Sequence, residues 1–354
     1  MSILWNPFKV GQITLEHRLA MAPMTRDRAL PDGTPSPMMA EYYAQRASLG
    51  LLITEGTQPN EDGQGYLLTP GIHTDEHVEG WRTVTDAVHA AGGHVFVQLM
   101  HVGRASHPDN TPHHRTPVAP SAITPAWQMF TAAGMQDIPQ PRALNSDEIA
   151  TTVDDFRTAA ARAVEAGADG VEIHGANGYL IQQFLSPNAN ARTDGYGGSI
   201  DGRIRFAVEV AQAVAEEIGP DRTGFRISPG GTFNDIDEGP DRAQTYRALV
   251  TELARLDLAY LHVMHGPDED LLHEIRSLWP TALLVNRGDR PREQIADDLE
   301  TGLADVVPVG RWALANPDLV QRLHEGAQLN EPDRATFYGG GSEGYTDYPV
   351  LDRR

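Results

Sequence analysis

The stretch Asp-Gly-Val-Glu-Ile-His-Gly-Ala-Asn-Gly-Tyr-Leu, residues 169–180, is the most informative part of this chain. It begins with the pattern of a buried strand and runs directly into His174, Asn177 and Tyr179. Parallel barrels keep their chemistry at such strand ends. His174 and Asn177 can donate hydrogen bonds while neutral and so hold a carbonyl or phenolate oxygen, and the Tyr179 hydroxyl can deliver a proton. The pattern predicts a reduction site.

A second interpretation of this stretch stays open from these residues alone. A polar strand-to-helix turn would need Gly175 and Gly178 for backbone reasons only, with His174 capping a neighbouring group. The following residues favour the functional interpretation, because 182–199 form a long polar segment rich in Asn, Gly and Ser. Loops of that length in compact domains are usually functional.

The composition is that of a globular protein with a sizeable core. Of 354 residues, 40% are hydrophobic and 22% are charged. No segment approaches the roughly 18 apolar residues of a membrane span. Residues 1–7 contain no basic region followed by an apolar run, so we expect no secretory signal and a cytoplasmic location.

Cysteine content and net charge exclude several classes of function. The absence of cysteine excludes disulfides, a thiol nucleophile, an iron–sulfur cluster and a flavin attached through sulfur, so redox chemistry must come from a cofactor. The net charge of −21 repels phosphate backbones, and we expect no nucleic-acid partner. Anionic cofactors still bind where local arginines and backbone amides overcome this field.

Eight short apolar runs have the length and composition of buried strands. They cover residues 19–24, 51–55, 94–99, 170–174, 224–228, 259–264, 282–286 and 305–310. Segments with the 3.6-residue apolar spacing of helices lie between them, at 74–91, 147–166, 200–218, 241–256 and 292–300. The order is strand, helix, strand throughout, which favours a parallel sheet.

The start and stop signals between these segments favour a closed (β/α)8 TIM barrel. Residues 146–148 have the pattern of a helix start, and Gly92, Gly167 and Gly219 follow apparent helix ends. An open doubly wound sheet would carry a glycine-rich phosphate fingerprint after its first strand, whereas residues 22–26 read Ala-Pro-Met-Thr-Arg. We predict a single domain over 1–354.

Two segments do not fit the repeat. Residues 103–145, rich in Pro, His, Thr and Ser, fall between the third strand and the third helix, and we predict an excursion that caps the barrel mouth. Residues 328–354 form an irregular tail rich in Gly and Tyr, for which packing on the surface is an equally good interpretation.

Placing these strands in a barrel collects polar residues at one mouth. They are Thr25, Glu55, Gly56, Gln98, His101, His174, Arg226, Asn286, Gly288, Gly310 and Arg311. Their amide, hydroxyl and guanidinium groups suit a flat heteroaromatic ring with several carbonyls. The glycine turns after the last two strands, with Arg311, suit a phosphate held by backbone amides and one cation.

Two alternatives remain for particular residues. Arg226 could form a buried structural ion pair with Glu172, which period-2 counting puts on the same strand face as His174. The histidines at 101, 107, 113 and 114 invite a metal-dependent hydrolase interpretation. No His-x-His follows the first strand and few carboxylates lie at strand ends, so we expect no metal.

Several longer motifs carry a family resemblance. They are Arg-Leu-Ala-Met-Ala-Pro-Met-Thr-Arg at 18–26, together with 42–47, 53–57, 70–72, 97–99, 174–180, 192–198 and Gly-Tyr-Thr-Asp-Tyr-Pro at 344–349. On these motifs the chain resembles the Old Yellow Enzyme family of FMN-dependent ene-reductases over nearly its whole length.

The resemblance implies roles for individual residues. His174 and Asn177 would bind the substrate carbonyl and Tyr179 would donate the proton. The cofactor-binding residues would be Pro23, Met24, Thr25, Gly56, Gln98, Arg226, Gly288, Gly310, Arg311 and Phe337. Tyr66, Met100 and Tyr338 would line the substrate pocket.

The implied reaction has two steps at one site. NADPH or NADH gives hydride to FMN and leaves, and an activated alkene then takes hydride from flavin N5 and a proton from Tyr179. A flavin-dependent NAD(P)H oxidase or quinone reductase is the alternative. Small activated alkenes and phenolic ligands are the implied partners, and the protein would be a monomer or homodimer.

The chain departs from the family pattern in two places. Met100 stands where many members have tryptophan, which affects how a substrate is oriented. The phosphate turn at 286–290 carries two arginines and Asp289 where small or aromatic residues are common.

Overall fold

The computed structural model describes residues 2–288 and 290–351 and confirms a (β/α)8 barrel. Met1, Asp289 of the predicted phosphate turn and the last three residues of the predicted tail lie outside this range. The barrel strands are β1 Leu19–Met21, β2 Leu51–Thr57, β3 Val95–Leu99, β4 Gly170–Gly175, β5 Thr223–Ile227, β6 Tyr260–Met264, β7 Ala282–Asn286 and β8 Val307–Val309. Neighbours pair in parallel from β8 through β1 to β7. A parallel bridge between Leu284 and Val306 closes the cylinder.

Ten α-helices occur in the described residues. They are α1 Pro37–Gln45, α2 Asp75–Ala90, α3 Ser146–Glu165, α4 Leu180–Leu185, α5 Ile200–Ile218, α6 Arg242–Ala254, α7 Glu269–Leu278, α8 Asp297–Glu300, α9 Arg311–Ala315 and α10 Leu319–Glu325. Asn145 caps α3 in a reciprocal capping box with Glu148, one residue earlier than predicted. Among these helices, none has both the length and the apolar character needed to cross a membrane.

The predicted helix over 292–300 is wrong in part. This segment forms a 3-10 turn at Arg292–Gln294 and the single-turn helix α8. Neither piece has a side-chain cap at its start. The Asp298 carboxylate also accepts hydrogen bonds from Arg287 Nε at 2.7 Å and Arg290 Nη2 at 2.9 Å. Tertiary pairing therefore overrides the helical periodicity.

A short hairpin closes one end of the barrel. Strands Phe8–Val10 and Ile13–Leu15 pair in antiparallel, and their buried side chains pack with the interior layer that contains Phe96 and Tyr260. Gly11 turns the hairpin at φ +53°, and a Cβ there would lie 1.9 Å from the Asp221 carbonyl oxygen. Because this end is filled, a site must form at the carboxyl ends of the strands.

The segment 103–145 contains a β-hairpin that the sequence did not predict. Gln128–Thr131 pairs in antiparallel with Gly134–Asp137. The segment is anchored to two loops at the carboxyl ends of the strands, because Asn110 Nδ2 donates to the Gly65 carbonyl at 3.0 Å and the Ala126 amide donates to Asp235 Oδ2 at 3.0 Å. It therefore lies beside the barrel mouth.

The tail is tied to the end of β1 by buried arginines. Arg26 donates from Nε to the Phe337 carbonyl and from Nη2 to the Gly344 carbonyl, both at 2.9 Å. Arg28 Nη2 donates to the Thr336 carbonyl at 2.9 Å. These bonds hold Phe337 and the residues around it against the mouth.

Candidate active site

Two adjoining cavities open at the carboxyl ends of the strands. The β8 cavity, lined by residues 307–312 and the end of β7, has a volume of about 330 Å³. The His174 cavity, which also contains Asn177 and Tyr179, has a volume of about 290 Å³. Both are lined by Pro23, Met24, Arg226 and Arg311, so they form one continuous cleft.

His174 presents a neutral N–H donor to the cleft. It is the fifth residue of β4 and is 3% exposed. Its Nδ1 accepts a hydrogen bond from the Ala176 amide at 3.1 Å, which leaves the ring proton on Nε2. Burial, with the neighbouring positive charge of Arg226, lowers the pKa of His174 well below its usual value. The imidazole is therefore neutral at pH 7.

Asn177 lies in a turn that its neighbours hold in place. Its φ is +56° and that of Gly178 is +75°. The Asn177 amide donates to Ser228 Oγ at 2.9 Å, and its carbonyl accepts from Asn234 Nδ2 at 2.8 Å. Its buried Oδ1 has no hydrogen-bond partner within residues 2–288 and 290–351. The backbone of the turn is thus held in place, and the carboxamide keeps polar capacity for a ligand.

Tyr179 follows this turn, and its hydroxyl lies 3.1 Å from the Tyr66 hydroxyl. Its ring meets the His174 ring edge-on, with centroids 5.0 Å apart. Burial raises the pKa of Tyr179 well above 10. The phenol is therefore neutral and can act as an acid at neutral pH.

A buried polar network lies beneath the other side of the cleft. Glu172 accepts from Gln98 Nε2 at 2.7 Å and from His262 Nδ1 at 2.8 Å. A direct Arg226–Glu172 ion pair does not form among the described residues, where Glu172 is hydrogen-bonded to Gln98 and His262 instead. Arg226 is 5% exposed, lines both cavities, and its Nε has no hydrogen-bond partner in the described part of the chain.

Met100 forms one wall of the His174 cavity. It is 2% exposed and packs with Val102 and Ala105, against the rings of Tyr66 and Trp127. Gly56 lies directly behind it, since a Cβ at Gly56 would be 2.4 Å from the Met100 sulfur. The small residue at 56 lets the thioether occupy this space.

The β8 cavity is lined by positive charge and backbone. Gly310 precedes α9, and Arg311 Nη2 donates to the Gly288 carbonyl at 3.1 Å. Arg287 and Arg290 also line the cavity, and both are paired with Asp298. Guanidinium groups with exposed glycine backbone are a suitable donor set for a phosphate.

The residues fit FMN. A carboxylate such as Glu172 can only accept, so Gln98 must turn its Nε2 toward Glu172 and its carboxamide oxygen toward the cleft. That acceptor suits the ring's N3–H. The Arg226 cation, with its unpartnered Nε, suits the electron-rich pyrimidine edge, and the β8 cavity suits the phosphate.

Most of the predicted site residues meet at this cleft. Those that line one or both cavities are Pro23, Met24, Thr25, Gln98, Met100, His174, Asn177, Tyr179, Arg226, Gly288, Gly310, Arg311, Phe337 and Tyr338. Gly56 and Tyr66 lie one residue behind this lining, in contact with Met100 and Tyr179.

Besides Gly56, two further residues expected at the mouth, Glu55 and His101, line neither cavity. Glu55 accepts from the Arg26 amide at 3.1 Å and from the Tyr43 hydroxyl at 3.3 Å. The fully buried His101 accepts at Nδ1 from the Gly103 amide at 3.1 Å. Both side chains therefore accept hydrogen bonds from neighbouring groups and do not face the cleft.

The sequence did not reveal His262, Ser228 or Asn234 as parts of the site. His262 is a lone polar residue in the apolar strand β6, in register with Arg226, and that position is a usable signal. Ser228 and Asn234 act on Asn177 through side chain-to-backbone bonds, for which sequence spacing gives no signal.

A barrel whose strand ends form a flavin-sized cleft, with an imidazole, a carboxamide and a neutral phenol beside it, defines a flavin-binding oxidoreductase. The model of the NADH:flavin oxidoreductase / NADH oxidase family matches residues 3–330. The chain belongs to this family, that of Old Yellow Enzyme, and is an FMN-dependent NAD(P)H oxidoreductase.

Individual relatives agree along the full chain. A probable flavin mononucleotide-dependent alkene reductase of Leishmania infantum is 42% identical, over 99% of this chain and 98% of that protein. 12-Oxophytodienoate reductase 2 of Arabidopsis thaliana is 42% identical, over 99% and 96%. The structure of morphinone reductase in complex with tetrahydroNAD matches with a TM-score of 0.94 at 43% identity, covering 99% of this chain and 98% of that one.

Proposed function

We propose that this enzyme reduces the carbon–carbon double bond of α,β-unsaturated carbonyl compounds and similarly activated alkenes, with NADPH or NADH as electron donor. Bound FMN supplies hydride transfer, which no side chain provides. The observation that carries the proposal is the convergence of His174, Asn177 and Tyr179 on one cavity. Names of relatives, alkene reductase and 12-oxophytodienoate reductase, support it.

His174 and Asn177 hold the substrate's carbonyl oxygen. The Nε2–H of the neutral imidazole and the Nδ2–H of the Asn177 carboxamide are the two donors. Negative charge grows on this oxygen as the β-carbon is reduced, and donors placed beside it stabilise that charge more than they stabilise the neutral ketone. These two residues thereby polarise the alkene.

Tyr179 donates the proton to the α-carbon. Its hydroxyl shares the cavity with His174 and stays protonated because burial raises its pKa. The Tyr66 hydroxyl accepts a hydrogen bond from this hydroxyl and so holds it in place. A positioned acid of this kind contributes about 10²–10⁴ to the rate.

The remaining predicted residues bind the cofactor and the substrate's outer part. We assign the cofactor to Pro23, Met24, Thr25, Gly56, Gln98, Arg226, Gly288, Gly310, Arg311 and Phe337. We assign the substrate's body to Tyr66, Met100 and Tyr338. The nicotinamide and the alkene share the His174 cavity in turn, so ping-pong kinetics are expected. A cytoplasmic location, a single domain and a monomer or homodimer stay predictions.

The deciding experiment is an anaerobic one. Purified protein is bleached with NADPH or NADH, and 2-cyclohexenone is then added without oxygen. Return of the flavin absorbance with stoichiometric cyclohexanone supports the proposal. If the absorbance returns with oxygen or a quinone but not with the enone, the enzyme is an NAD(P)H oxidase or quinone reductase instead. Protein without a flavin spectrum contradicts both.

A further inference from the structure

The carboxylate of Glu172 and the imidazole of His262 are buried and line neither cavity, and the reaction above does not use them. We propose that Glu172 is a positioning residue that lowers the redox potential of bound FMN, by partly cancelling the charge of Arg226 and by fixing the carboxamide of Gln98. This inference rests on the proposed flavin enzyme and deepens it.

The hydrogen bonds of Glu172 determine how Gln98 faces the cleft. Glu172 is fully buried on β4 between Gln98 of β3, which is in register with it, and His262 of β6. Gln98 donates its Nε2–H to Oε1 at 2.7 Å. Since the carboxylate can only accept, the Gln98 oxygen must point away from it. Glu172 thereby determines which end of the Gln98 carboxamide faces the cleft, and that end is the acceptor oxygen.

The Glu172 carboxylate and the Arg226 guanidinium bring opposite charges to this buried region. Burial lowers the pKa of His262, so this imidazole is neutral and gives its Nδ1–H to the carboxylate. Arg226 lies between His174 and His262 in the strand register and carries the positive charge. The His262 and Arg226 partners outweigh burial and lower the pKa of Glu172, which is therefore ionised.

This arrangement has a consequence for the cleft. Arg226 lines both cavities, and its Nε has no hydrogen-bond partner in the ranges described, so its field is available to a ligand. In a buried region, where Coulomb interactions are strong, the Glu172 carboxylate offsets much of that field. Removing the carboxylate leaves the positive charge of Arg226 uncompensated. This charge then stabilises reduced FMN relative to oxidised FMN.

A purely structural role for this network would give a different result. Glu172 and His262 could simply satisfy each other inside the barrel, with no effect on a ligand. In that case their replacement would change stability and cofactor retention but not the relative affinity of the protein for the two redox forms of FMN. The midpoint potential therefore separates the two roles.

The test compares Glu172→Gln with Glu172→Asp and wild type. Potentials are measured by anaerobic equilibration with a reference dye. Glu172→Gln should shift the ratio of affinities toward reduced FMN at least tenfold, about +30 mV for a two-electron couple. Glu172→Asp keeps the charge and should keep the wild-type potential. An unchanged potential in FMN-bound Glu172→Gln, or an equal shift in both variants, overturns the inference.

A matched control is available at Glu238. This second buried carboxylate accepts from Gln182 Nε2 at 2.7 Å and from the Gly230 amide at 2.7 Å, within the network that supports the Asn177 turn. Glu238→Gln should leave the potential unchanged. A tenfold shift there would mean that loss of any buried carboxylate has this effect, and would overturn the specific role of Glu172.

A second pair of variants tests the inference if Glu172→Gln does not fold or does not bind FMN. Arg226→Gln alone should lower the potential, and the double variant with Glu172→Gln should raise it again at least tenfold. Equal potentials in these two variants overturn the inference. Wild-type protein without FMN would contradict the proposed function itself, so the two failures are distinguishable.

Discussion

The hydroxyl groups of Tyr179 and Tyr66 lie 3.1 Å apart, with their rings edge-on at a centroid distance of 6.3 Å. Burial raises the pKa of both phenols. Neither gives up its proton to water near pH 7, and the Tyr179 hydroxyl donates its hydrogen bond to the Tyr66 hydroxyl. The pair therefore holds a protonated Tyr179 in the His174 cavity.

Tyr179→Phe should separate the two stages of turnover. We expect anaerobic oxidation by 2-cyclohexenone to slow by about 10²–10⁴, because the positioned acid is lost. Bleaching by NADPH needs no proton from this residue and should change less than about threefold. Stopped-flow absorbance measures both rates. Tyr66→Phe is the control that keeps the acid but removes its partner. Equal slowing of both stages by Tyr179→Phe contradicts the assignment.

His174→Ala should weaken the binding of phenols. A phenolate in the cavity would accept from the imidazole Nε2–H, and loss of a hydrogen bond to a charged group costs about 1.5–3 kcal/mol, roughly ten- to a hundredfold in Kd. Perturbation of the flavin spectrum on phenol titration gives the affinity. His107→Ala, in the loop beside the mouth, is the matched control. Unchanged phenol affinity in His174→Ala would remove that residue from the oxygen site.

Gly178→Ala should damage the site more than the matched change Gly92→Ala. Both glycines have positive φ, +75° and +82°, which costs about 1–2 kcal/mol for a residue with a Cβ. Only at Gly178 would the Cβ meet a carbonyl oxygen, that of Phe233 at 2.3 Å, so the turn must move. We expect a larger loss in urea-unfolding free energy and at least tenfold weaker phenol binding. Equal effects of the two changes would show that the turn adapts.

Met100→Trp should narrow the His174 cavity. Tryptophan adds volume where the thioether already packs against Tyr66 and Trp127, which implies about 1–3 kcal/mol of strain or displacement into the cavity. KM should rise roughly tenfold for a ring-substituted cyclohexenone and much less for 2-cyclohexenone. The volume-conserving Met100→Leu is the control. If both enones respond alike, Met100 does not limit the cavity.

Asp27→Asn should flatten the pH dependence of stability. Burial and the nearby Glu55 carboxylate raise the pKa of Asp27 to about 8. Between the unfolded value near 4 and this value, the folded state binds the extra proton, so stability falls as pH rises, by at most about 1.4 kcal/mol per pH unit. Urea unfolding at pH 5 to 8 measures the slope, with the exposed Asp86→Asn as control. A wild-type slope in Asp27→Asn contradicts the shift.

The barrel was predictable because its signal is local. Apolar runs and glycine stops gave all eight strands, and β7 and α5 were predicted with the bounds observed. The segment 292–300 failed because its conformation depends on Asp298 meeting Arg287 and Arg290, a tertiary contact. The hairpin within 103–145 failed because its strands are four residues long and half exposed.

The site was predictable where residues share a strand end or a family motif. His174, Asn177 and Tyr179 belong to one continuous motif and lie in one cavity. The partner of Glu172 was not predictable in this way, because period-2 counting gives the face of a strand but not which neighbour a side chain reaches. His262, ninety residues away, forms the bond that the alternative interpretation gave to Arg226.

The Arg26–Phe337 bond joins residues 311 positions apart. During synthesis, Arg26 leaves the ribosome long before Phe337. The contact between them can therefore form only after nearly the whole chain has emerged. Such distant pairing slows folding. The wall of the cleft that Phe337 forms is therefore completed only after the C-terminal tail has been made.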